Sequence, residues 1–433
     1  MTMNRFRYVL LLFSFTQVSF GQQSFSLEEA VQYAQQHDLQ VQNSRLEEEI
    51  SATEVERLQR NWLPQASASA DLRYNPILQT NVLGVNPATG MREVAEVEFG
   101  TDFTSSVGVL VQQKVFDPVY RPERERRSLG GRQAELERNY QEQRTAWQVR
   151  AAYYQVLLNR DILQNSRRLL AAIDTLRRDI RVQVQEELES PRLLNQLNEQ
   201  YWQQQSKLRV DSLSWLASQA DLKLEMNFPA GQTLSLTDSL ELSLEETVFL
   251  DASDNYQVQQ INLQLEASRI ALDRLQRSRL PSVNAEGFLG ANFFSDAPDL
   301  YKFDRWYGQS YIGLTMSVPI YQGNDKRYGE QLENLKMEQL RNEADAYRNE
   351  QQNKAIRVAL QMEQARAQLR LARQLTESAA ENLRLARTNY RNEVAGFRPV
   401  LEALQSLVGA REQEINGRIA YVQALLEASL LDL

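Results

Sequence analysis

Four stretches of the chain alternate apolar and polar residues with a period of two. In 65–75, Ala66, Ala68, Ala70, Leu72 and Tyr74 take one parity and Gln65, Ser67, Ser69, Asp71, Arg73 and Asn75 the other. In 101–116, Phe103, Val107, Val109, Val111 and Val115 oppose Asp102, Thr104, Ser106, Gln112 and Lys114. In 282–294, Val283, Ala285, Leu289, Ala291 and Phe293 oppose Ser282, Asn284, Glu286 and Asn292. In 307–320, Ile312, Leu314, Met316, Val318 and Ile320 oppose Tyr311, Thr315 and Ser317. This period predicts strands with two unlike faces, longer than most strands of soluble proteins. Such strands suit a barrel that is apolar outside and wet inside. Tyr74, Phe99, Phe103, Tyr301, Phe303, Trp306 and Tyr307 gather at the loop ends, where an interfacial aromatic girdle would lie. Four strands are too few to enclose a polar lumen, so the pattern predicts a barrel shared between chains.

The rest of the chain is patterned for helices. From Ala355, the residues Val358, Met362, Ala365, Leu369, Ala372, Thr376, Ala379, Leu383, Ala386 and Tyr390 follow at alternating spacings of three and four. That is a coiled-coil seam. A second partial stripe, Ile356, Leu360, Ala367, Leu371, Leu375 and Leu385, predicts packing on two neighbours. The runs 118–189 and 322–395 each predict a helix on the order of 100 Å long. Return helices follow at 191–225 and 398–430. The turns between hold Ser190-Pro191, a good N-cap and first-turn pair, and Gly396-Phe397-Arg398-Pro399.

The two halves share one plan. Ser26-Leu27-Glu28-Glu29 recurs 217 positions later as Ser243-Leu244-Glu245-Glu246, Gln40-Val41-Gln42 as Gln257-Val258-Gln259, and Leu63-Pro64 as Leu280-Pro281. The chain therefore divides into a first repeat at 22–225, a linker at 226–242 and a second repeat at 243–433. Each repeat is expected to run as one helix ended by Leu-Pro, a β-hairpin, then a long helical hairpin.

Residues 1–21 read as a secretory signal. Arg5 and Arg7 precede the apolar run Tyr8 to Phe15, with small Ser19 and Gly21 placed for cleavage near Gly21. Gln22 offers no thiol for lipid attachment. The 433 residues carry 48 basic and 57 acidic side chains, one histidine and no cysteine. No apolar run is long enough for a membrane-spanning helix. The acidic balance argues against nucleic acid as a partner. His37 has no second histidine or cysteine to share a metal, and no phosphate-binding loop or nucleophile–base pair is present. An enzyme, a cofactor and a metal site are therefore not expected.

The Ser-Leu-Glu-Glu-Ala-Val start, the Leu-Pro before each first strand and the duplicated β-hairpin resemble the TolC family of outer-membrane efflux and secretion channels. Val318 to Gly323 (VPIYQG) and the turn from Glu393 to Gln405 (EVAGFRPVLEALQ) carry the same resemblance. It implies a mixed α+β membrane protein: a homotrimer whose shared 12-stranded barrel sits in outer-membrane lipid, with a coiled-coil helical barrel in the periplasm. It also implies a passive duct that docks a periplasmic adaptor, or membrane fusion protein, fed by an inner-membrane pump, for efflux or type I secretion.

In that family the turn reads Gly-x-Arg, an acid four positions later and another three further on. Gly396, Arg398 and Glu402 fit, while Gln405 stands where the second acid would be. The resemblance thus implies a single Glu402 ring at the periplasmic constriction, with Arg398 in the closed-state contacts. The plain alternative for Arg398 and Glu402 is an i,i+4 surface pair. The first-half counterparts are Asn195 and Asn198. Ser190, Pro191, Gly396 and Phe397 are the adaptor-docking candidates. Glu186, Glu187 and Glu189 are expected to serve either adaptor docking or cation attraction at the entrance, or simply the dipole of the next helix. Arg73, Asp102, Lys114 and Glu286 are expected as solvated lumen residues. A non-transporting coiled-coil tether in the outer membrane would need no lumen-facing polar parity, and a soluble β-plus-helix adhesion protein would not need aromatic-ended amphipathic strands.

Overall fold

The computed structural model describes residues 23–85, 88, 90–92, 94–240, 255–392 and 394–431. The signal segment, the second Ser-Leu-Glu-Glu copy and the last two linker residues lie outside the described residues. The helices are α1 Leu27–His37, α2 Leu39–Arg60, α3 Tyr120–Gln185, α4 Pro191–Glu225, α5 Tyr256–Arg277, α6 Asp325–Arg391 and α7 Arg398–Ser429. The strands are β1 Gln23–Phe25, β2 Gln65–Tyr74, β3 Gln79–Leu83, β4 Ala95–Phe99, β5 Phe103–Phe116, β6 Leu234–Leu236, β7 Ser282–Ser295 and β8 Trp306–Ser317. They divide into two compact units. A sheet unit takes Arg45–Glu137 and Tyr256–Arg348, and a helical unit takes the described parts of Met1–Ser44, Arg138–Asn255 and Asn349–Leu433. No described helix is long and apolar enough to cross a membrane.

In the sheet unit four long strands pair antiparallel in the order β2-β5-β7-β8. The register aligns like parities: Ala70 faces Val107, which faces Ala291, and Ala68 faces Val109, which faces Leu289. A one-residue slip would exchange the two faces, so the alternation itself fixes the pairing. Residues 76–100, between the two alternating segments of the first half, hold a second hairpin of β3 and β4.

In the helical unit, Ser26 caps α1. Its side chain accepts from the Glu29 N–H, and the Glu29 carboxylate accepts from the Ser26 N–H at 2.8 Å. The first helix is not continuous as expected, because Asp38 takes an extended conformation between α1 and α2. Its carboxylate accepts from the Gln40 N–H (2.7 Å) and the Thr145 hydroxyl (2.6 Å), and these bonds stabilise the break.

The segment read as a linker contains β6, which pairs parallel with β1. Behind this pair Tyr153 is buried among Phe25, Val31, Val149, Leu222 and Phe228. Its hydroxyl donates to the Asp238 carboxylate at 2.8 Å, and Asp238 also accepts from the Leu27 N–H at 2.9 Å. Burial works against the Asp238 charge. The bonds from Tyr153, Leu27 and Thr237, with the charge of Arg160, nevertheless hold its carboxyl below the usual range. Burial, then the bond to Asp238, pushes the Tyr153 phenol up.

The seam of α6 is buried as its spacing predicts: Val358, Met362, Ala365, Leu369, Ala372, Thr376, Ala379 and Leu383 are all inside. The second stripe is not covered, and Ile356, Leu360 and Leu371 are exposed. Against the seam, α7 presents Tyr421, Ala424 and Ala428. Gly417 marks the closest approach, since a Cβ there would meet the Leu369 Cα at 3.2 Å. One ionic cluster enters this interior. Buried Glu414 accepts from Arg418 (2.7 Å) and Arg411 (3.4 Å), and Arg418 reaches Asp161 of α3 at 2.7 Å. Each carboxylate has a cationic partner, as burial of a charge requires.

Two outcomes follow from this packing. Gly417→Val is expected to lower stability by about 1–3 kcal/mol, because the crowding is against backbone that cannot swing aside; chemical denaturation of the purified protein measures it. Asp238→Asn is expected to be less stable than the wild type at neutral pH. A carboxyl lowered on folding adds stability above its unfolded pKa of about 3.9 and loses it as pH falls through the folded value. The gap between the two melting temperatures should therefore narrow only below about pH 4.

Candidate functional site: a two-faced sheet and paired helix turns

The four-stranded sheet has opposite chemistry on its two sides. One face carries Leu72, Val107, Val109, Val111, Leu289, Ile312, Leu314 and Met316, all exposed. Ile312 is 94% exposed. An uncovered apolar face of this extent is foreign to soluble monomers. The opposite face carries Ser67, Ser69, Asp71, Arg73, Thr104, Ser106, Gln112, Lys114, Asn284, Glu286, Asn292, Gln309 and Thr315. Asp71 accepts from Ser106 and pairs with Arg73 at 3.3 Å. Asn292 donates to Gln309 at 2.7 Å, and Lys114 pairs with Asp117 at 3.0 Å.

The alternation missed part of this second face. Leu110, Phe288 and Phe294 share its parity. The Phe288 ring stacks on Tyr311 with centroids 5.7 Å apart and lies over the facing pair Gly108 and Gly290. A Cβ on Gly290 would stand 2.7 Å from that ring and 2.4 Å from the Val107 carbonyl oxygen. Only glycine permits this overlay, which shields the backbone of the pair.

At the loop ends the aromatics pair as Tyr74–Phe103, Phe293–Trp306 and Phe294–Tyr307, with centroids 4.9, 5.5 and 6.1 Å apart. Between β7 and β8 the chain folds on Asp299. This carboxylate is bonded by Lys302 (2.8 Å), by the Ser295 hydroxyl (2.7 Å) and by Arg305 (3.3 Å). Those partners, Lys302 foremost, hold it below the usual carboxylate range. No sequence pattern signalled this knot, because its members are irregularly spaced.

The helix turns form the other candidate region. Arg398 opens α7 and its guanidinium bonds Glu402 at 3.0 Å, with the side chains 89% and 63% exposed. Glu402 and Gln405 share the exposed side of α7, while Leu401 and Leu404 turn inward. Within the single chain Arg398 and Glu402 thus form only a local surface pair.

Phe397 is different. It is 2% exposed and meets Tyr390 edge-on at 5.1 Å. Around it pack Ile173, Leu176 and Ile180 of α3, Leu197 of α4, Leu383 of α6, and Val400, Leu401 and Leu404 of α7. As a docking candidate its ring is withdrawn; apolar burial makes it the anchor beneath the turn. Gly396, Ser190 and Pro191 are exposed, and Ser190 caps α4 by accepting from the Leu193 N–H at 3.4 Å.

Sequence reasoning missed what joins the two hairpins. The Tyr390 hydroxyl donates to the Gln183 amide oxygen, and burial followed by the Glu189 charge raises the phenol. Burial beside Arg391 presses the Arg387 guanidinium down, with Asp179 opposing. Glu187 adopts a left-handed conformation (φ 59°). The Leu188 N–H then reaches the Gln183 carbonyl at 2.8 Å and closes α3. The acid therefore sits in a position that glycine usually fills, and it leaves Leu188 71% exposed at the turn.

Truncation separates these roles. Phe397→Ala is expected to cost about 3–5 kcal/mol and to speed amide exchange through 383–404. Arg398→Ala is expected to cost less than about 0.5 kcal/mol and leave exchange there unchanged. Hydrogen–deuterium exchange read by peptide checks both.

Residues 252–430 match the outer membrane efflux protein family. No curated relative matches the sequence. The fold is similar to the CmeC outer membrane channel of Campylobacter jejuni (TM-score 0.70, 14% identity, 94% of this chain and 85% of that chain). It is similar to the outer membrane protein VceC of Vibrio cholerae (TM-score 0.70, 14% identity, 94% of each chain). It is also similar to the Neisseria gonorrhoeae MtrE outer membrane channel in its open state (TM-score 0.72, 15% identity, 94% of this chain and 88% of that chain). The second half thus carries the efflux-protein sequence signature, and the whole described chain has the TolC-like fold.

Proposed function

We propose that three copies of this chain form a passive outer-membrane exit duct. It would take substrate from a periplasmic adaptor, fed by an inner-membrane pump, to the exterior, in efflux or in type I secretion. The observation that carries this reading is the four-stranded sheet, apolar on one face and polar on the other, with that apolar face bare and its β2 and β8 edges unpaired among the described residues. In lipid an open sheet edge is not sustainable, because its N–H and C=O groups have no water to bond. Pairing β8 of one copy with β2 of the next satisfies both edges. Closing the ring after three copies gives twelve strands, room for a polar lumen.

The helix turns then have two tasks. Exposed Leu188, Ser190, Pro191, Val394 and Gly396 offer the adaptor a surface, backed by the buried Phe397 cluster. Glu402, brought near its copies on the axis, forms a carboxylate ring that attracts cations. With Gln405 in place of a second acid, that ring is single. Nothing here requires chemistry on the substrate, and the energy for transport comes from the pump.

The test is single-channel recording of purified protein in planar bilayers beside Glu402→Ala. Discrete cation-selective openings that lose selectivity in the variant are expected. Openings identical in both would remove Glu402 from the constriction and leave the duct. Folded protein that never opens a pore would favour the non-transporting tether.

A further inference from the structure

Where the strands meet the helices, the sheet unit changes character within a few residues. The apolar face ends at exposed Leu63, Leu280 and Phe116, and at Ile320 and Tyr321, which are 95% and 82% exposed. The corresponding corner of the first half is covered: Trp62 packs at a tilt against Tyr120 with centroids 4.7 Å apart, and Val119 is half-buried. In the second half, Arg279 occupies the position corresponding to Trp62 and pairs instead with Glu330, leaving Ile320 and Tyr321 bare.

Directly beyond lie the helix ends, and they are basic. Among the described residues Arg57, Arg60, Arg124, Arg126, Arg274 and Arg327 are exposed and make no ion pair. Their neighbours Arg121 and Arg277 are neutralised by Glu125 and Asp273, and Arg127 is shared by two acids, Glu54 and Glu123. Only Glu56 and Asp325 remain as unpaired acids in the same turns. Six free cations against two free acids is a local reversal of a chain whose net charge is −9.

We propose that this collar binds the headgroups of anionic phospholipid in the leaflet on the helix side of the sheet. Phosphate groups accept bidentate bonds from guanidinium, and the collar is all arginine. Its place, at the rim of an apolar band and beside a bare tyrosine and isoleucine, is where a headgroup layer meets such a surface. The bound lipid fixes the depth of the barrel and covers the second-half corner that has no tryptophan. The inference rests on the membrane reading of the sheet and adds to it which lipid is held, and by which residues.

The five tryptophans supply the test, because Trp62 lies in the collar and Trp306 at the far ends of the strands. Full-length variants keeping only Trp62 or only Trp306 are reconstituted with brominated phosphatidylglycerol or brominated phosphatidylcholine, and quenching gives relative lipid binding. At low salt Trp62 is expected to report phosphatidylglycerol favoured by about threefold or more. That preference should fall toward unity in high salt. Trp306 is expected to show none. In the Trp62 protein with Arg124→Gln, Arg126→Gln, Arg274→Gln and Arg327→Gln the preference should vanish. If that variant does not fold, the salt dependence of the parent decides. Equal quenching by both lipids at Trp62, or a preference that survives the four substitutions or high salt, overturns the collar while the membrane reading stands. No quenching at either tryptophan overturns both.

Discussion

A β-sheet's edges are rows of unpaired amide and carbonyl groups, and the sheet unit of this protein answers to that fact. The long sheet here has two such edges, on β2 and β8, and a bare apolar face between them. In water the edges could be hydrated but the face would drive aggregation. In lipid the face is at ease, but the edges must pair. Only association edge to edge, curving round to closure, satisfies both. The proposed trimeric duct is the smallest assembly consistent with the TolC-like fold that does so.

The helical unit is built on a different economy. Its seam positions are small or aliphatic, so helices approach closely, as where Gly417 lies against Leu369. The polar exceptions are paired inside: Thr376 with the Ala410 carbonyl at 3.1 Å, and Glu414 with Arg411 and Arg418. What a single chain leaves uncovered is also regular. Among the described residues nothing covers the stripe of Ile356, Leu360 and Leu371 on α6, the helical counterpart of the open strand edges. Both surfaces are complete only in an assembly.

The turns show how stability and function divide within a few residues. Phe397 is buried between both hairpins, whereas Arg398, its neighbour in sequence, is exposed and pairs with Glu402. A surface pair so exposed contributes little to folding. Its residues are therefore free to serve the assembled pore, which is the role proposed for Glu402. The strained Glu187 belongs to the same economy: an acid kept where glycine would be easier, beside an exposed Leu188.

The four long strands and the α6 seam were legible in the sequence, because periods of two and of alternating three and four leave no other way to bury one side of an element; the register between strands, and the end of β8 at Ser317 rather than at 320, were not. The duplicated Leu-Pro boundaries were legible because proline acts locally. The interruption at Asp38 was not, since it depends on Thr145, more than a hundred positions away. Nor was β6, whose three residues become a strand only beside β1. The Phe288 overlay needed the cross-strand meeting of Gly108 and Gly290, and the Asp299 knot needed a loop that brings Ser295, Lys302 and Arg305 together. The arginine collar is drawn from four separate segments, and its excess charge appears only once neighbouring pairs are subtracted. Patterns repeated along the chain determine elements by themselves; contacts between distant residues, and the charge that such contacts leave unpaired, exist only in the folded structure.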